Sequence, residues 1–195
     1  RTILSGNPVR RDIITKLEDR RGRAERFSIL VFGGSQGATA INAAFLDAAE
    51  FLTDIWSNLK VVHQTGQEGF DTVVAAYKRK NLKVEAYKFI EAMGEAYNSA
   101  DLVVCRAGAT SLAEITAAGL PSILIPYPFA SDDHQTVNAR SLEKAGASVM
   151  IKQEGLTGSL LAGEIRRLYN DAQAMKSMRE RSKALGRPRA AQEIA

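Results

Sequence analysis

Six short apolar runs recur along the chain, each followed by a turn and then by a stretch with helical spacing. The runs cover residues 28–32, 59–63, 82–87, 102–105, 122–125 and 147–151, and the helical stretches cover 38–52, 68–80, 92–99, 112–118, 134–145, 158–169 and 172–185. Strand-length runs alternating with helix-length segments at this interval make βαβ units, which close into a parallel sheet covered on both faces. The expected fold class is therefore α/β, a Rossmann-like parallel sheet with helices on both faces. In an open sheet of that kind, ligands sit beyond the carboxyl ends of the strands, so the loops after the runs are the places to look for chemistry.

The 195 residues, 45% of them hydrophobic, are enough for one domain with a buried core and too apolar for a disordered chain. A single cysteine, Cys105, makes no internal disulfide, and with only His63 and His134 beside it there is no structural zinc set. That usage fits a reducing, cytoplasmic setting. No stretch reaches the roughly 18 apolar residues of a transmembrane helix and no basic-then-apolar leader opens the chain. The expectation is a soluble or peripheral protein. Beginning at Arg1 without a methionine, the chain reads as the interior of a longer polypeptide.

Charge divides the chain further. Residues 1–26 hold eight Lys/Arg against four Asp/Glu, residues 27–163 ten against fourteen, and residues 164–195 eight against four. The basic excess lies at the two ends rather than interleaved with aromatics across the body, which argues against a nucleic-acid module. Residues 1–26, with Arg20, Arg21, Arg23 and Arg26, are expected to be a linker. Residues 27–170 then form the Rossmann-like domain, and 171–195 a basic C-terminal helix packing elsewhere in a longer protein.

Three loops carry candidate chemistry. After the first run comes Gly33-Gly-Ser-Gln-Gly37, where a tight turn into a helix, helped by the Ser35 hydroxyl, can hold a phosphate or can simply be a capped turn. The adjacent glycines do not make Gly-x-Gly-x-x-Gly, and the second run ends His63-Gln-Thr-Gly66 without an acidic residue, so a dinucleotide dehydrogenase is disfavoured; no Gly-Lys-Ser/Thr follows, so neither is a P-loop present. After the fourth run, Gly108 and the amides of Ala109, Thr110 and Ser111 open a helix whose positive end suits a diphosphate. Glu114, a turn later, either accepts hydrogen bonds from two adjacent sugar hydroxyls or closes a capping box with Ser111, and the residues alone favour the box. After the fifth run, Asp132 and Asp133 invite a cation reading, but an Asp N-cap for the helix containing Gln135 and Asn138 is the better account. No Gly-x-Ser-x-Gly elbow is present, Cys105 reads as a buried small hydrophobe, His63 as a strand-end residue without an identified partner, and Trp56 as packing.

Seven phrases in order extend this reading: Gly6-Asn-Pro-Val-Arg10, Gly33-Gly-Ser-Gln-Gly-Ala38, His63-Gln-Thr-Gly66, Phe89-Ile90 ahead of Met93, Ala100-Asp-Leu-Val-Val-Cys-Arg-Ala-Gly-Ala109, Glu114-Ile-Thr-Ala-Ala-Gly-Leu-Pro121 and His134-Gln-Thr-Val-Asn-Ala139. Together they resemble the C-terminal, donor-binding half of the bacterial peptidoglycan GlcNAc transferases, which have the GT-B fold. The resemblance implies a site for UDP-N-acetylglucosamine (UDP-GlcNAc). Ile90 would read the uracil edge through its backbone, and Arg10 would reach the same side. Ser35 and the amides of Ala109, Thr110, Ser111, Leu112 and Ala113 would hold the diphosphate, Glu114 the ribose, and Gln135 hydroxyls of the transferred sugar.

The resemblance further implies an inverting transfer of GlcNAc onto lipid-linked muramyl-pentapeptide, lipid I to lipid II, in peptidoglycan synthesis and hence in cell shape and division. It would proceed without a metal or cofactor, on the cytoplasmic face of the bacterial inner membrane. The general base and the acceptor site would belong to a missing N-terminal domain, so this chain would carry no catalytic base and show little or no transfer alone. Two departures stand out: His134 occupies a position where the family often has another glutamine, and the 127–133 loop carries an extra residue. The competing readings are a related UDP-sugar transferase subunit with another lipid acceptor, such as the dolichol-linked one, and a non-catalytic nucleotide-binding or interaction module.

Overall fold

A computed structural model describes residues 6–18, 26–34 and 37–194. Six strands, β1 (Phe27–Phe32), β2 (Leu59–Gln64), β3 (Glu85–Tyr87), β4 (Leu102–Cys105), β5 (Ser122–Leu124) and β6 (Ser148–Met150), form one sheet in the order β3-β2-β1-β4-β5-β6. Every pairing is parallel. The order reverses direction between β1 and β4, which makes that junction the switch point of a doubly wound sheet.

Side chains on successive strand residues point to opposite faces, and the apolar runs feed two separate cores. Ile29 and Val31 of β1, Val61 of β2 and Leu102 and Val104 of β4 pack on one face with α2 (Thr39–Ala48), α3 (Phe70–Arg79) and α7 (Gly158–Asn170). Leu30 and Phe32, Val62, Val103 and Cys105 pack on the other with α1 (Arg11–Glu18), α4 (Met93–Ser99), α5 (Ala109–Ala117) and α6 (His134–Lys144). All six residues of β1 are buried. This explains why the run has no polar alternation: a central strand covered on both faces has no solvent side.

The two chain ends belong to the same body. Residues 1–26 were expected to be a linker, yet Val9 and Ile13 are buried in the second core and α1 lies on α4. An amphipathic turn with Val9, Ile13 and Ile14 on one side has a face to bury, and the arginines that suggested a linker, Arg20, Arg21 and Arg23, lie outside the described residues. The C-terminal helix, α8 (Ala172–Leu185), packs on α5 and α7 of this same domain, with Met175, Met178 and Ser182 buried. A last helix, α9 (Ala190–Ile194), buries Ala190. Among the described residues no helix is long and apolar enough to cross a membrane.

Candidate functional site

The carboxyl ends of β1, β4 and β5 are in register, Phe32 beside Cys105 and Cys105 beside Leu124. The loops that follow them therefore emerge side by side. They enclose a cleft of about 670 Å³ lined by Gly33, Gly34, Gly37, Thr39, Arg106, Gly108, Ser111, Tyr127, Gln135 and Gln153, among others. Among the described residues, Arg106 is its one charged lining residue.

The first wall is the glycine turn. Gly37 has φ +81°, and a Cβ there would lie 2.2 Å from the Thr65 carbonyl oxygen, so only glycine lets the turn lie against the end of β2. The turn leads into α2, whose N-cap, Ala38, supplies no side-chain cap; Ala38, Thr39 and Ala40 border the cleft. Ser35, expected to help hold phosphate here, lies outside the described residues.

The second wall corrects the sequence reading of the 108–114 segment. Helix α5 starts at Ala109, three residues earlier than expected, with Gly108 as its N-cap in an extended conformation. Ser111 thus sits inside the first turn and borders the cleft, and no capping box with Glu114 forms. Leu112 donates its N–H to the Gly108 carbonyl at 3.0 Å. The amides left without an intrahelical acceptor are those of Ala109, Thr110 and Ser111. Leu112 and Ala113, expected to share in holding a diphosphate, lie beyond that set. A Cβ built on Gly108 meets nothing within 4 Å, so the space in front of this helix end is open.

Two helix N-termini, α2 and α5, thus flank one cleft together with a guanidinium. Each terminus carries about half a positive charge from its aligned peptide dipoles. Such a combination favours negative charge, as at helix N-termini that take anions.

Glu114, 5% exposed, points elsewhere: Oε1 accepts from Arg10 Nε at 3.2 Å and Oε2 from the Tyr97 hydroxyl at 3.0 Å. Burial, and then the charge of Glu114, hold the Tyr97 phenol well above its usual range, so it stays protonated and donates. Two of the residues singled out in the sequence, Arg10 and Glu114, are therefore brought together as an ion pair. Each carboxylate oxygen keeps a second lone pair for a further donor.

Ile90 is buried, and its N–H donates to Gln64 Oε1 at 2.8 Å, so that N–H already has a partner within the protein. Gln64 in turn donates from Nε2 to the Gly34 carbonyl at 2.9 Å, tying the segment carrying Ile90 to the glycine turn. Gln135 borders the cleft, and its Oε1 accepts from the Tyr127 N–H at 3.0 Å.

The aspartates behave differently from expectation. Asp133 stands at the N-cap of α6 but makes no side-chain cap bond, and both Asp132 and Asp133 take left-handed backbone angles, φ 53° and 50°. With the loop forced through that pair of conformations, the carboxylates are not aimed at the helix amides. Among the described residues no group of three or more His, Cys, Asp or Glu side chains converges as a metal set.

Partners unseen in the sequence surround His63. Fully buried, it pairs Nδ1 with the Tyr77 hydroxyl at 2.7 Å and Nε2 with Asn42 Oδ1 at 3.1 Å, while Asn42 Nδ2 donates to the Thr65 carbonyl at 2.9 Å. Since Oδ1 can only accept, Nε2 carries the proton and Nδ1 accepts from Tyr77. Burial drives the imidazole pKa down to about 3, so the ring is neutral. Cys105 is fully buried and burial pushes its thiol up, in line with an inert core residue. Trp56 is partly buried against the first core. The sequence reading assigned no part to Arg106, Gln153, Tyr127 or Gln64. A cation directly after a central strand, opposite a small-residue helix start, was the available signal.

Strand order, switch-point cleft and paired helix ends define a Rossmann-like, doubly wound domain with its ligand cleft at the switch point. Comparison with known proteins narrows the class. The model of the glycosyltransferase family 28 C-terminal domain matches residues 28–194, and the chain belongs to that family. It is 47% identical over 98% of its length to the UDP-N-acetylglucosamine–N-acetylmuramyl-(pentapeptide) pyrophosphoryl-undecaprenol N-acetylglucosamine transferase of Myxococcus xanthus, covering 50% of that protein. To the protein of the same name from Syntrophus aciditrophicus it is also 47% identical, over 98% of this chain and 53% of that protein. The crystal structure of Acinetobacter baumannii MurG superposes with a TM-score of 0.81 at 32% identity, over 93% of this chain and 53% of that one. The chain thus spans about half the length of the curated relatives it matches. The C-terminal CMP-Kdo binding domain of WaaA, at 11% identity and TM-score 0.65, shares the fold.

Proposed function

We propose that this chain is the donor-binding half of an inverting GlcNAc transferase that takes UDP-GlcNAc and, together with a preceding domain, moves GlcNAc onto lipid-linked muramyl-pentapeptide in peptidoglycan synthesis. The observation that carries the reading is the cleft at the switch point, where the N-termini of α2 and α5 and the guanidinium of Arg106 face one space. Departure of UDP from the anomeric carbon builds negative charge on the β-phosphate. Oriented amides stabilise such charge with no reorganisation at the moment of bond breaking.

In this arrangement the diphosphate lies on the amides of Ala109, Thr110 and Ser111. The Glu114 carboxylate, oriented by Arg10 and Tyr97, receives the ribose hydroxyls, the Ile90 carbonyl meets the uracil edge, and Gln135 meets the sugar. The general base and the lipid acceptor belong to the other half of the whole protein, which works as a peripheral enzyme at the cytoplasmic membrane face.

Titration calorimetry with UDP, UDP-GlcNAc and dTDP, with and without EDTA, tests the reading. The expected result is binding of both uridine ligands, unchanged by the chelator, and weaker binding of dTDP. A protein that binds none of them is no donor domain, and binding abolished by EDTA assigns the charge neutralisation to a cation.

A further inference from the structure

Among the described residues, Arg106 donates hydrogen bonds only to neutral groups. Nη1 donates to the carbonyls of Ile125 and Pro126, both at 3.1 Å, and Nη2 donates to Gln153 Oε1 at 2.6 Å. The guanidinium carbon stands 5.3 Å from the centroid of the Tyr127 ring. Ile125, Pro126 and Tyr127 follow β5 and Gln153 follows β6, so one side chain ties together the ends of three neighbouring strands. The next link is a backbone one: Tyr127 N–H donates to Gln135 Oε1 at 3.0 Å. An amide oxygen held in this way leaves Nε2, with its two N–H groups, as the unengaged end of Gln135 at the cleft.

We infer that Arg106 is a positioning residue: by clamping residues 125–127 it fixes Gln135 as a hydrogen-bond donor, and so selects a sugar nucleotide whose transferred sugar presents an acceptor oxygen at that point. The inference rests on the donor-site reading above and adds what sets the polarity of the sugar contact. Three neutral acceptors arranged around a planar fork match guanidinium geometry; a lysine ammonium keeps the charge without reproducing the fork. The Tyr127 ring holds the same loop from its other side, since a cation against an aromatic face is attracted by the ring quadrupole.

The test uses Arg106→Lys in this 195-residue chain, read in two ways. In the ligand-free protein, the NMR signals of the Tyr127 amide and the Gln135 side-chain amide shift and exchange faster, while core amides stay put. In calorimetry, UDP affinity changes by less than about twofold and UDP-GlcNAc affinity falls about tenfold, the scale of one lost hydrogen bond. Combining Arg106→Lys with Gln135→Ala costs no more than Gln135→Ala alone, because the two act in series. Gln153→Ala moves both readouts the same way, by less, and carries the test if Arg106→Lys fails to fold. Equal losses for UDP and UDP-GlcNAc overturn the inference and make Arg106 a direct phosphate ligand. Unmoved Gln135 signals overturn it as well. Wild-type protein that binds neither ligand sinks the donor-site reading, whereas the Gln135 signals still judge the clamp.

Discussion

Gly108 separates ligand binding from folding more cleanly than any other position. Its backbone is extended, φ −69° and ψ 140°, conformations open to alanine, and a Cβ there meets no atom within 4 Å. Gly108→Ala should cost at most about 1 kcal/mol of stability, the difference between glycine and alanine at an N-cap, since strain and clash are both absent. UDP affinity should fall at least about tenfold, because the new methyl enters the space before the α5 amides and an anion can no longer reach them. Retained affinity would place the diphosphate away from α5. Glu114→Gln tests the neighbouring group: UDP and uridine should both weaken by about 1–3 kcal/mol, the range for a charge-assisted bond. If only stability drops, the carboxylate serves Arg10 and Tyr97 and nothing else.

At the scale of elements, the polar chain Tyr77–His63–Asn42–Thr65 joins α3, β2, α2 and the turn after β2. It also carries a pH dependence. The folded pKa of His63 is lowered to about 3 from 6.5, so unfolded chains bind a proton that the folded protein refuses. The contribution is fully present above pH 6.5 and is lost as pH falls toward 3, reaching about 2 kcal/mol by pH 5. Denaturant midpoints measured from pH 7 to pH 5 should fall accordingly, and His63→Gln should flatten that slope; an unchanged slope would mean His63 titrates normally. The N-terminal helix makes a second test. Ile13 is fully buried against the second core, so Ile13→Ala should cost about 2–4 kcal/mol in chemical denaturation, the usual range for a truncated core isoleucine. A cost below about 1 kcal/mol would mark α1 as an appendage.

For the molecule as a whole, the donor-half proposal predicts that this chain binds donor alone and transfers sugar only within a full-length transferase. A coupled assay with lipid-linked acceptor should show turnover for the longer protein and essentially none for the chain alone. Transfer by the isolated chain would put the general base here. Much of this organisation is legible in the residues. The four central strands are short apolar runs bounded by turns, and with the edge strands β3 and β6 all six appear in the sequence within about three residues of their observed positions. Helix α5 is legible only in part, because Ala109, Thr110 and Ser111 carry no hydrophobic period and its N-cap is a glycine rather than the serine two residues into it. The ends misled through composition: the count of basic residues over 1–26 drew attention from Val9 and Ile13, which are buried. The contacts of His63, Arg106 and Glu114 join residues far apart in the chain, and local spacing holds no record of such pairings.

The two helices that aim their amides into the cleft both hang from strands that are hydrogen-bonded neighbours, β1 and β4. Their separation is set by the lateral spacing of a sheet, about 4.8 Å per strand, and the strands lie between two packed cores. A cleft framed this way keeps its width by the same hydrogen bonds that hold the sheet, so a ligand between the two helix ends meets them at a spacing the strands have already set.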